Sequence, residues 1–291
     1  MKTLILRNMA EVKKALELSD SRNINFIPTM GNLHDGHFEL IRKAKKNKNI
    51  NLVSIYVNPL QFNDIKDLDN YPRSLDKDLK NLTELGVSMV YLPEKAFNLN
   101  NTSTVQLGEI VNKLCGKNRK GHFEGVATVI LKVLLLIKPE QIYLGEKDFQ
   151  QILVIKKIIK DFNFDVKVKT IPIIRGPDGI ALSSRNQRIK NINNLKKVYD
   201  CLCKIKIKID EDNFHNQNKK SQRNFSNKTY KDYQNENIFD ENKKSVKLDE
   251  NQAFPQFNLN VSNPISWKLM LLIMLMQLLT NIMLVVVLYL K

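Results

Sequence analysis

The chain is 291 residues long, carries a formal net charge of +16 and is 43% hydrophobic, so it is large enough to bury a substantial core. Its basic residues are spread along the whole chain without interleaved aromatic residues, which argues against a nucleic-acid-binding surface. The three cysteines, Cys115, Cys201 and Cys203, form neither a CxxC pair nor a zinc-binding pattern. We therefore expect a reduced, cytoplasmic protein without nucleic acid as a partner.

Helical and strand patterns alternate along the first two thirds of the chain. AEVKKALEL has helical spacing, NINFIPTM predicts a buried strand, HFELIRKAKKNK an amphipathic helix, and NLVSIYVNP the next strand. The alternation continues through SLDKDLKNLTELG, VSMVYLP, GVATVILKVLLLIKP, QIYLGEKD, FQQILVIKKIIKDF and VKVKTIPIIRG. This succession predicts an α/β fold with a doubly wound, Rossmann-like parallel sheet over residues 1–190.

The composition changes after about residue 190. Residues 211–251 are dominated by Asn, Lys, Gln, Asp and Ser, and they contain too few apolar residues to offset the entropy of ordering. We predict a poorly ordered linker or a degenerate C-terminal domain over residues 191–268. Residues 269–290 are an uncharged apolar run that would form a helix of about 33 Å, long enough for a bilayer core. This run is either a membrane tail anchor or a buried or damaged carboxyl terminus.

The stretch PTMGNLHDGH, residues 28–37, joins a predicted strand to a predicted helix. Ligands of open α/β sheets bind at this edge, and a helix start offers free backbone N–H groups to a phosphate. His34 and His37 are three residues apart on one helical face, so both imidazoles could donate to one polyphosphate. Gly31 and Gly36 would allow a sharp turn or close backbone approach. The alternative is that histidine here only caps the helix.

Three further motifs carry polar side chains after predicted strands. VNPLQF contains Asn58 and Gln61, whose neutral amides can bind hydroxyl and carboxylate oxygens. In GEKDFQQ, Gly145 permits close backbone approach and Lys147 supplies a mobile cation for phosphate oxygens. LSSR, residues 182–185, offers two hydroxyl groups and a guanidinium. These groups suit a site for a phosphorylated nucleotide and a small polar substrate.

Together the motifs resemble one enzyme family. PTMGNLHDGH, SIYVNPLQF, DLDNYPRSLDKDL, GHFEGVATVILKV, YLGEKDFQQ and DGIALSSRN, in this order, resemble the pantothenate synthetase (pantoate:β-alanine ligase) family of the H-x-G-H nucleotidyltransferase superfamily. The resemblance covers roughly residues 1–190, and the pattern of the family's smaller C-terminal domain is not found after Asn191. It implies a homodimer that joins pantoate to β-alanine at the expense of ATP, through a pantoyl adenylate, with release of AMP and pyrophosphate.

The resemblance also implies roles for individual residues. It implies catalytic roles for His34, His37, Lys147 and Arg185. It implies ATP binding by Met30, Gly31, Asn32, Leu33, His34, Asp35, Gly36, His37, Gly145, Glu146, Lys147, Asp148, Ile174, Leu182, Ser183, Ser184 and Arg185, with Ile174 meeting adenine through its backbone. It implies binding of the other substrates by Gln61, Gln151, Asn58 and Arg119. For His122, in the recurrent GHF signature, we expect a packing role.

Magnesium is expected with ATP, held mainly by phosphate oxygens and water. Asp76 and Asp78 are candidate protein ligands, but Lys77 stands between them where relatives carry an acidic residue. We therefore assign no metal ligand to the protein. Two other functions stay open: an adenylyltransferase with a different acceptor, and an inactive relic with a damaged C-terminal region. A membrane would be a partner only through residues 269–290.

Overall fold

The computed structural model describes residues 3–19, 23–93, 103–188, 196–197 and 199–208. They fall into two compact units, one extending to Tyr199 and one that includes the helical residues 200–208. The predicted apolar segment 269–290 lies outside the described residues, as does most of the predicted region 191–268. Within the described part of the chain, no helix is long and apolar enough to cross a membrane.

The first unit is built around a six-stranded parallel sheet with the strand order β1-β4-β3-β2-β5-β6. The strands are β1 (Leu4–Leu6), β2 (Ile24–Thr29), β3 (Ile50–Ile55), β4 (Met89–Tyr91), β5 (Gln141–Gly145) and β6 (Lys167–Ile171). The α-helices are α1 (Met9–Glu17), α2 (Asp35–Ala44), α3 (Ile65–Asp69), α4 (Leu75–Glu84), α5 (Leu114–Asn118), α6 (His122–Ile137) and α7 (Phe149–Asp161). Short 3₁₀ turns lie at Pro59–Gln61, Glu109–Asn112, Glu146–Asp148 and Ser184–Arg188.

Helices cover both faces of the sheet, because the strands are apolar on both sides. In β2, Phe26 packs in a core with residues of α1, α6 and α7, whereas Ile27 packs in a second core with residues of α2 and α4. Leu52 and Val53 of β3 divide between the two cores in the same way. Side chains of a strand point alternately to opposite faces, so a sheet buried on both faces needs continuous apolar runs. The predicted doubly wound parallel sheet is confirmed.

The strand order reverses at β2. Both β3 and β5 pair with β2, and the chain proceeds outward to β4 on one side and to β6 on the other. Ligands of open α/β sheets bind outside the carboxyl ends of strands at such a reversal. The loops that follow β2 and β5 are the PTMGNLHDGH and GEKDFQQ motifs, so the fold brings both motifs to this point.

The edge strand β1 is not predicted from the sequence, where NINFIPTM reads as the first strand. This expectation is wrong, because Leu4–Leu6 pairs in parallel with Met89–Tyr91. The hydroxyl of Thr3 also donates to the carbonyl of Val87, at 2.9 Å. Three residues are too short to show a strand pattern, and it is the neighbouring strand that fixes their conformation.

Candidate active site

A cavity lies at the carboxyl ends of the central strands. Twelve of the residues implied by the sequence motifs line it: Met30, His34, His37, Asn58, Gln61, Arg119, Lys147, Asp148, Gln151, Ser183, Ser184 and Arg185. They come from the loops after β2, β3 and β5, from the connection between α5 and α6, from the first turn of α7, and from the LSSR segment. Motifs that are far apart in the sequence therefore face one another across a single cavity.

The other implied residues shape the surrounding loops. Among the described residues that do not line the cavity are Gly31, Asn32, Leu33, Asp35, Gly36, Gly145, Glu146, Ile174 and Leu182. Gly36 makes room for His34, because a Cβ atom there would lie 2.9 Å from the imidazole Cε1. Glu146 accepts a hydrogen bond from the Thr170 hydroxyl at 2.9 Å, which ties the loop after β5 to β6. The amide of Leu182 donates to the carbonyl of Ile174 at 3.0 Å.

His34 and His37 cap helix α2 and line the cavity at the same time. The Nδ1 atom of His34 accepts from the amide of Gly36 at 3.1 Å, and the Nδ1 atom of His37 accepts from the amide of His34 at 3.3 Å. A backbone N–H can only donate, so both Nδ1 atoms are unprotonated and each neutral ring carries its hydrogen on Nε2. The ring centroids are 4.1 Å apart. Capping therefore uses Nδ1 and leaves Nε2–H as a donor in each ring.

Burial keeps both imidazoles neutral. It lowers the pKa of His34 to about 4, and the nearby ammonium group of Lys147 contributes to this lowering. Burial also holds the pKa of His37 well below its usual value, assisted by His34 and then by Lys147. At pH 7 the pair thus offers two neutral N–H donors beside one lysine cation.

Asp78 anchors the loop between β2 and α2. Its carboxylate accepts from the amides of Asn32 at 2.7 Å and Leu33 at 2.9 Å. Gly31 and Asn32 have φ angles of 79° and 48°, a left-handed turn that presents successive amides to one acceptor. Asp78 is thus engaged inside the protein, which argues against the metal-ligand role considered for it, and Asp76 is exposed. In the described part of the chain, no group of three or more His, Cys, Asp or Glu side chains could hold a metal ion.

The LSSR segment is joined to the same loop by a reciprocal pair of hydrogen bonds. The hydroxyl of Ser184 donates to the carbonyl of Asn32 at 3.0 Å, and the side-chain amide of Asn32 donates to the carbonyl of Ser184 at 3.3 Å. Asn32 and Ser184 are both buried. The two segments implied for phosphate binding are therefore held together by the protein itself.

Asn58 organises the opposite wall of the cavity. Its Nδ2 atom donates to the carbonyl of Gly125 at 3.1 Å and to Oε1 of Gln61 at 3.2 Å, and its Oδ1 accepts from the amide of Leu60 at 3.1 Å. Both amide hydrogens of Asn58 are thus used within the protein. Asn58 fixes the Pro59–Gln61 turn and the orientation of the Gln61 side chain.

His122 and Arg119 bind the backbone of that turn. The Nδ1 atom of His122 lies 2.7 Å from the carbonyl oxygen of Gln61, and Nη2 of Arg119 donates to the same oxygen at 3.3 Å. Burial lowers the pKa of His122 to about 4, with a further contribution from the charge of Arg119. Burial also lowers the pKa of Arg119 to about 10. His122 is buried, as a packing role requires, and it lines the cavity as well.

Sequence reasoning missed most of the apolar and aromatic wall. The missed lining residues are Phe26, Pro28, Tyr56, Tyr71, Tyr91, Pro93, Val126, Val129, Ile130 and Val133, together with the hydroxyl residues Thr29 and Ser54. Most belong to strands or to α6, where they read as ordinary core residues. The position of Tyr56 and Tyr91 at strand ends is the one signal that could have marked them. Burial raises the pKa of Tyr56 to about 12, still further above neutral pH than the ordinary value of a phenol.

Comparisons of the chain with known proteins point to the same family. The family model for pantoate-beta-alanine ligase matches residues 4–266, which extends beyond residue 190, where the sequence motifs end. A bifunctional pantoate ligase/cytidylate kinase of Prochlorococcus marinus strain MIT 9312 is 48% identical over 197 residues, covering 66% of this chain and 38% of the relative. A pantothenate synthetase of Pseudothermotoga lettingae is 42% identical over 186 residues, covering 63% of this chain and 66% of the relative. The chain thus spans well under half of the bifunctional relative.

Solved structures of similar sequence share the fold. The pantoate-beta-alanine ligase of Francisella tularensis, complexed with β-γ ATP and β-alanine, has a TM-score of 0.65 and 40% identity, covering 68% of this chain and 78% of that chain. The pantothenate synthetase of Thermus thermophilus has a TM-score of 0.65 and 37% identity, covering 70% of this chain and 74% of that chain.

Proposed function

The chain belongs to the pantoate-β-alanine ligase family, and on that premise we propose that it joins pantoate to β-alanine with ATP, releasing AMP and pyrophosphate. One observation carries the proposal: paired imidazoles, a lysine, an arginine and two glutamine amides line one cavity. The Francisella tularensis relative is complexed with β-γ ATP and β-alanine, which correspond to two of the three substrates proposed here.

In the first step, a carboxylate oxygen of pantoate attacks the α-phosphorus of ATP. A new phosphorus–oxygen bond forms, the bond to the β-phosphate oxygen breaks, and pyrophosphate leaves with the electron pair. Negative charge spreads over the phosphate oxygens in this displacement, so fixed donors lower the barrier. We assign this role to the Nε2–H groups of His34 and His37, to the ammonium of Lys147 and to the guanidinium of Arg185.

In the second step, the amine of β-alanine attacks the carbonyl carbon of the adenylate. The carbon–nitrogen bond forms, the bond to the AMP oxygen breaks, and the amine loses a proton to solvent. We assign to Gln61 and Gln151 the binding of the pantoate oxygens, because their neutral amides hydrogen-bond without adding charge. The apolar wall suits the carbon skeleton of pantoate and would limit the access of water to the adenylate.

We propose that Mg²⁺ enters with ATP. Asp148 is the one carboxylate among the described lining residues, whereas Asp78 is engaged by backbone amides. This donor set fits an ion held mainly by phosphate oxygens, with Asp148 as a protein ligand. When bound, Mg²⁺ would neutralise part of the polyphosphate charge.

The test follows pyrophosphate and AMP in reactions of the purified full-length chain with ATP. We expect pyrophosphate release only when pantoate is present, and AMP in excess over enzyme only when β-alanine is also present. Pyrophosphate release that needs a phosphorylated acceptor instead of pantoate would identify an adenylyltransferase. ATP binding without any release would identify an inactive relic. Either of these results would overturn the proposal.

A substitution at Gln151 tests the substrate assignment. Gln151→Leu should raise the KM for pantoate about tenfold or more, because the hydrogen bonds of the substrate lose their partner. The affinity for ATP should stay unchanged. Gln106→Leu, at an exposed glutamine outside the cavity, is the matched control. An equal loss of affinity for pantoate and ATP would argue against this role.

We further propose a cytoplasmic homodimer, as the family resemblance implies. Sedimentation of the purified chain would measure the dimer, and fractionation of cells would measure the partition between cytosol and membrane. Recovery of the full-length chain in the membrane fraction would favour the tail-anchor alternative for residues 269–290.

A further inference from the structure

Three charged residues form a largely buried cluster beside the cavity. The carboxylate of Asp67 accepts from Arg185 through Nε at 3.3 Å and Nη2 at 2.9 Å, and from Nη1 of Arg188 at 2.8 Å. The Asp67 side chain is 8% exposed, and those of Arg185 and Arg188 are 17% and 24% exposed. Of these three residues, Arg185 lines the cavity, whereas Asp67 and Arg188 do not.

The guanidinium of Arg185 is held along one edge by Asp67 and lies over two aromatic rings. Asp67 engages the Nε and Nη2 edge, so this ion pair does not use Nη1. The Cζ atom lies 4.9 Å from the ring centroid of Tyr71 and 5.6 Å from that of Phe62. Those two rings pack edge to face at 5.7 Å. Such constraints fix the side chain before any ligand binds, which reduces the entropy lost on binding.

The charges of the cluster do not cancel. Burial alone would raise the pKa of Asp67, but the hydrogen bonds and charges of Arg185 and Arg188 outweigh it and hold the pKa below its usual value. The cluster thus contains one carboxylate and two guanidinium groups, with a net charge of +1. A neutral pair of Asp67 and Arg185 would attract an anion in the cavity only weakly. Arg188 supplies the missing positive charge.

We propose that Asp67 is a positioning residue that aims Arg185 at an anion in the cavity, and that Arg188 keeps the cluster cationic without touching the ligand. The inference rests on the proposed function, in which the anion is the polyphosphate of ATP and the leaving pyrophosphate. The two roles differ physically, because Asp67 acts on geometry and Arg188 acts through charge. Substitutions at the two positions should therefore change different quantities.

The first variant is Asp67→Asn, which keeps the side-chain shape and removes the negative charge. The kcat for pyrophosphate release should fall about tenfold or more, because Arg185 loses the anion that orients it. The Kd for ATP, measured by calorimetry without pantoate, should stay the same or decrease, because the site gains positive charge. Asp161→Asn, which removes the exposed ion pair between Lys157 and Asp161, should change neither quantity.

The second pair of variants is Arg188→Gln and Arg188→Lys. Arg188→Gln should raise the Kd for ATP about threefold to tenfold and leave kcat at saturating ATP near that of the unmodified chain. Arg188→Lys should restore the affinity, because this role needs the positive charge and not the planar geometry of a guanidinium group. For Arg185, which touches the ligand, the conservative Arg185→Lys should not restore kcat.

Two results would overturn the inference. One is a parallel loss of thermal stability, ATP affinity and kcat in Asp67→Asn, which would make Asp67 a purely structural residue. The other is an unchanged Kd for ATP in Arg188→Gln. If the unmodified chain binds ATP but shows no pantoate-dependent release, the proposed function fails. In that case, the Kd values for ATP of Asp67→Asn and Arg188→Gln still test whether the charges of these two residues act on ATP binding.

Discussion

At the scale of single residues, His34 and His37 each serve the fold with one nitrogen and leave the other for a ligand. Their Nδ1 atoms satisfy amides at the start of α2, and these hydrogen bonds fix which nitrogen carries the hydrogen. A ring with a fixed tautomer donates from a known position, so the capping interactions would also orient the donors for the polyphosphate that we propose as their ligand. Capping and ligand binding, the two alternatives that the sequence leaves open, are thus compatible in one pair of side chains.

Substitution of His37 can separate these two contributions. In His37→Gln, the Oε1 atom of the glutamine at the third helical position can still accept from the amide of His34, as in a capping box, but its side-chain N–H groups then do not occupy the position of the imidazole Nε2–H. We expect its melting temperature to stay close to that of the unmodified chain while adenylation slows about 100-fold. His37→Ala should lose the cap as well, at a cost of about 1 kcal/mol in unfolding free energy. Equal losses of stability in both variants would contradict the separation.

Gln150 and Gln151 show what a motif can and cannot distinguish. Gln151 lines the cavity. Gln150 is 1% exposed; its Nε2 donates to the carbonyls of Ile110 and Lys113, and its Oε1 accepts from the amide of Cys115. The two residues are chemically identical in the sequence, and only family resemblance selects Gln151. The partners of Gln150 lie on a segment whose packing against α7 is not visible in any local pattern.

At the scale of elements, α6 and the Pro59–Gln61 turn approach each other closely beside the cavity. A Cβ atom on Gly125 would lie 2.3 Å from the carbonyl oxygen of Leu60 and 2.9 Å from the amide nitrogen of Gln61. Both neighbours are backbone atoms and cannot rotate away. The carbonyl of Gly125 also accepts from Asn58. Glycine is therefore required here by the distance between two elements, and this distance fixes the position of Gln61.

Gly125→Ala tests this contact. Alanine favours an isolated helix by about 1 kcal/mol over glycine, so propensity alone predicts stabilisation. We expect destabilisation instead, by about 1–3 kcal/mol, together with a higher KM for pantoate, because the turn must move away from α6. Gly108→Ala, where a Cβ atom would meet open space, should leave both quantities unchanged. Stabilisation of Gly125→Ala in chemical unfolding would disprove the close approach.

The elements differ in how much of them the sequence reveals. Long periodic segments such as α7 and continuous apolar strands such as β3 could be predicted, because many residues contribute to each pattern. The strand β1 could not, because Leu4–Leu6 is too short to show a period. The apolar wall of the cavity was missed for another reason. Val126, Val129 and Val133 repeat on one face of α6 in the same way as core residues do, and only the fold shows that a cavity adjoins them.

At the scale of the whole molecule, the site depends on contacts that are distant in sequence. β5 lies beside β2 although two other strands and the helices α2 to α6 lie between them along the chain. The sequence predicts that strands alternate with helices, but it does not give the order of the strands in the sheet. That order decides which loops meet, and it brings His34, Lys147 and Gln151 to one cavity. Family resemblance anticipated this meeting, whereas local pattern alone could not.

The same convergence places three neutral histidines at the site. Burial lowers the pKa of His34 and of His122 to about 4, and it holds the pKa of His37 well below its usual value. In the unfolded chain these groups titrate near the ordinary value of about 6.5. Between these values the unfolded state binds more protons than the folded state, so the free energy of unfolding must decrease as the pH falls from about 6.5 towards 4.

His122→Gln tests this linkage in the whole molecule. His122 should contribute a loss on the order of 1–3 kcal/mol across this window, measured by urea unfolding at intervals from pH 7.5 to 4.5. Glutamine can still donate to the carbonyl of Gln61 but takes up no proton, so the variant should lose stability less steeply with falling pH. The ordinary pKa of the Asp67 carboxyl lies below that of histidine, and in the folded protein this pKa is lower still. Asp67 therefore affects stability at more acidic pH and does not account for the difference. A variant that kept the full slope would show that His122 already titrates normally in the folded protein.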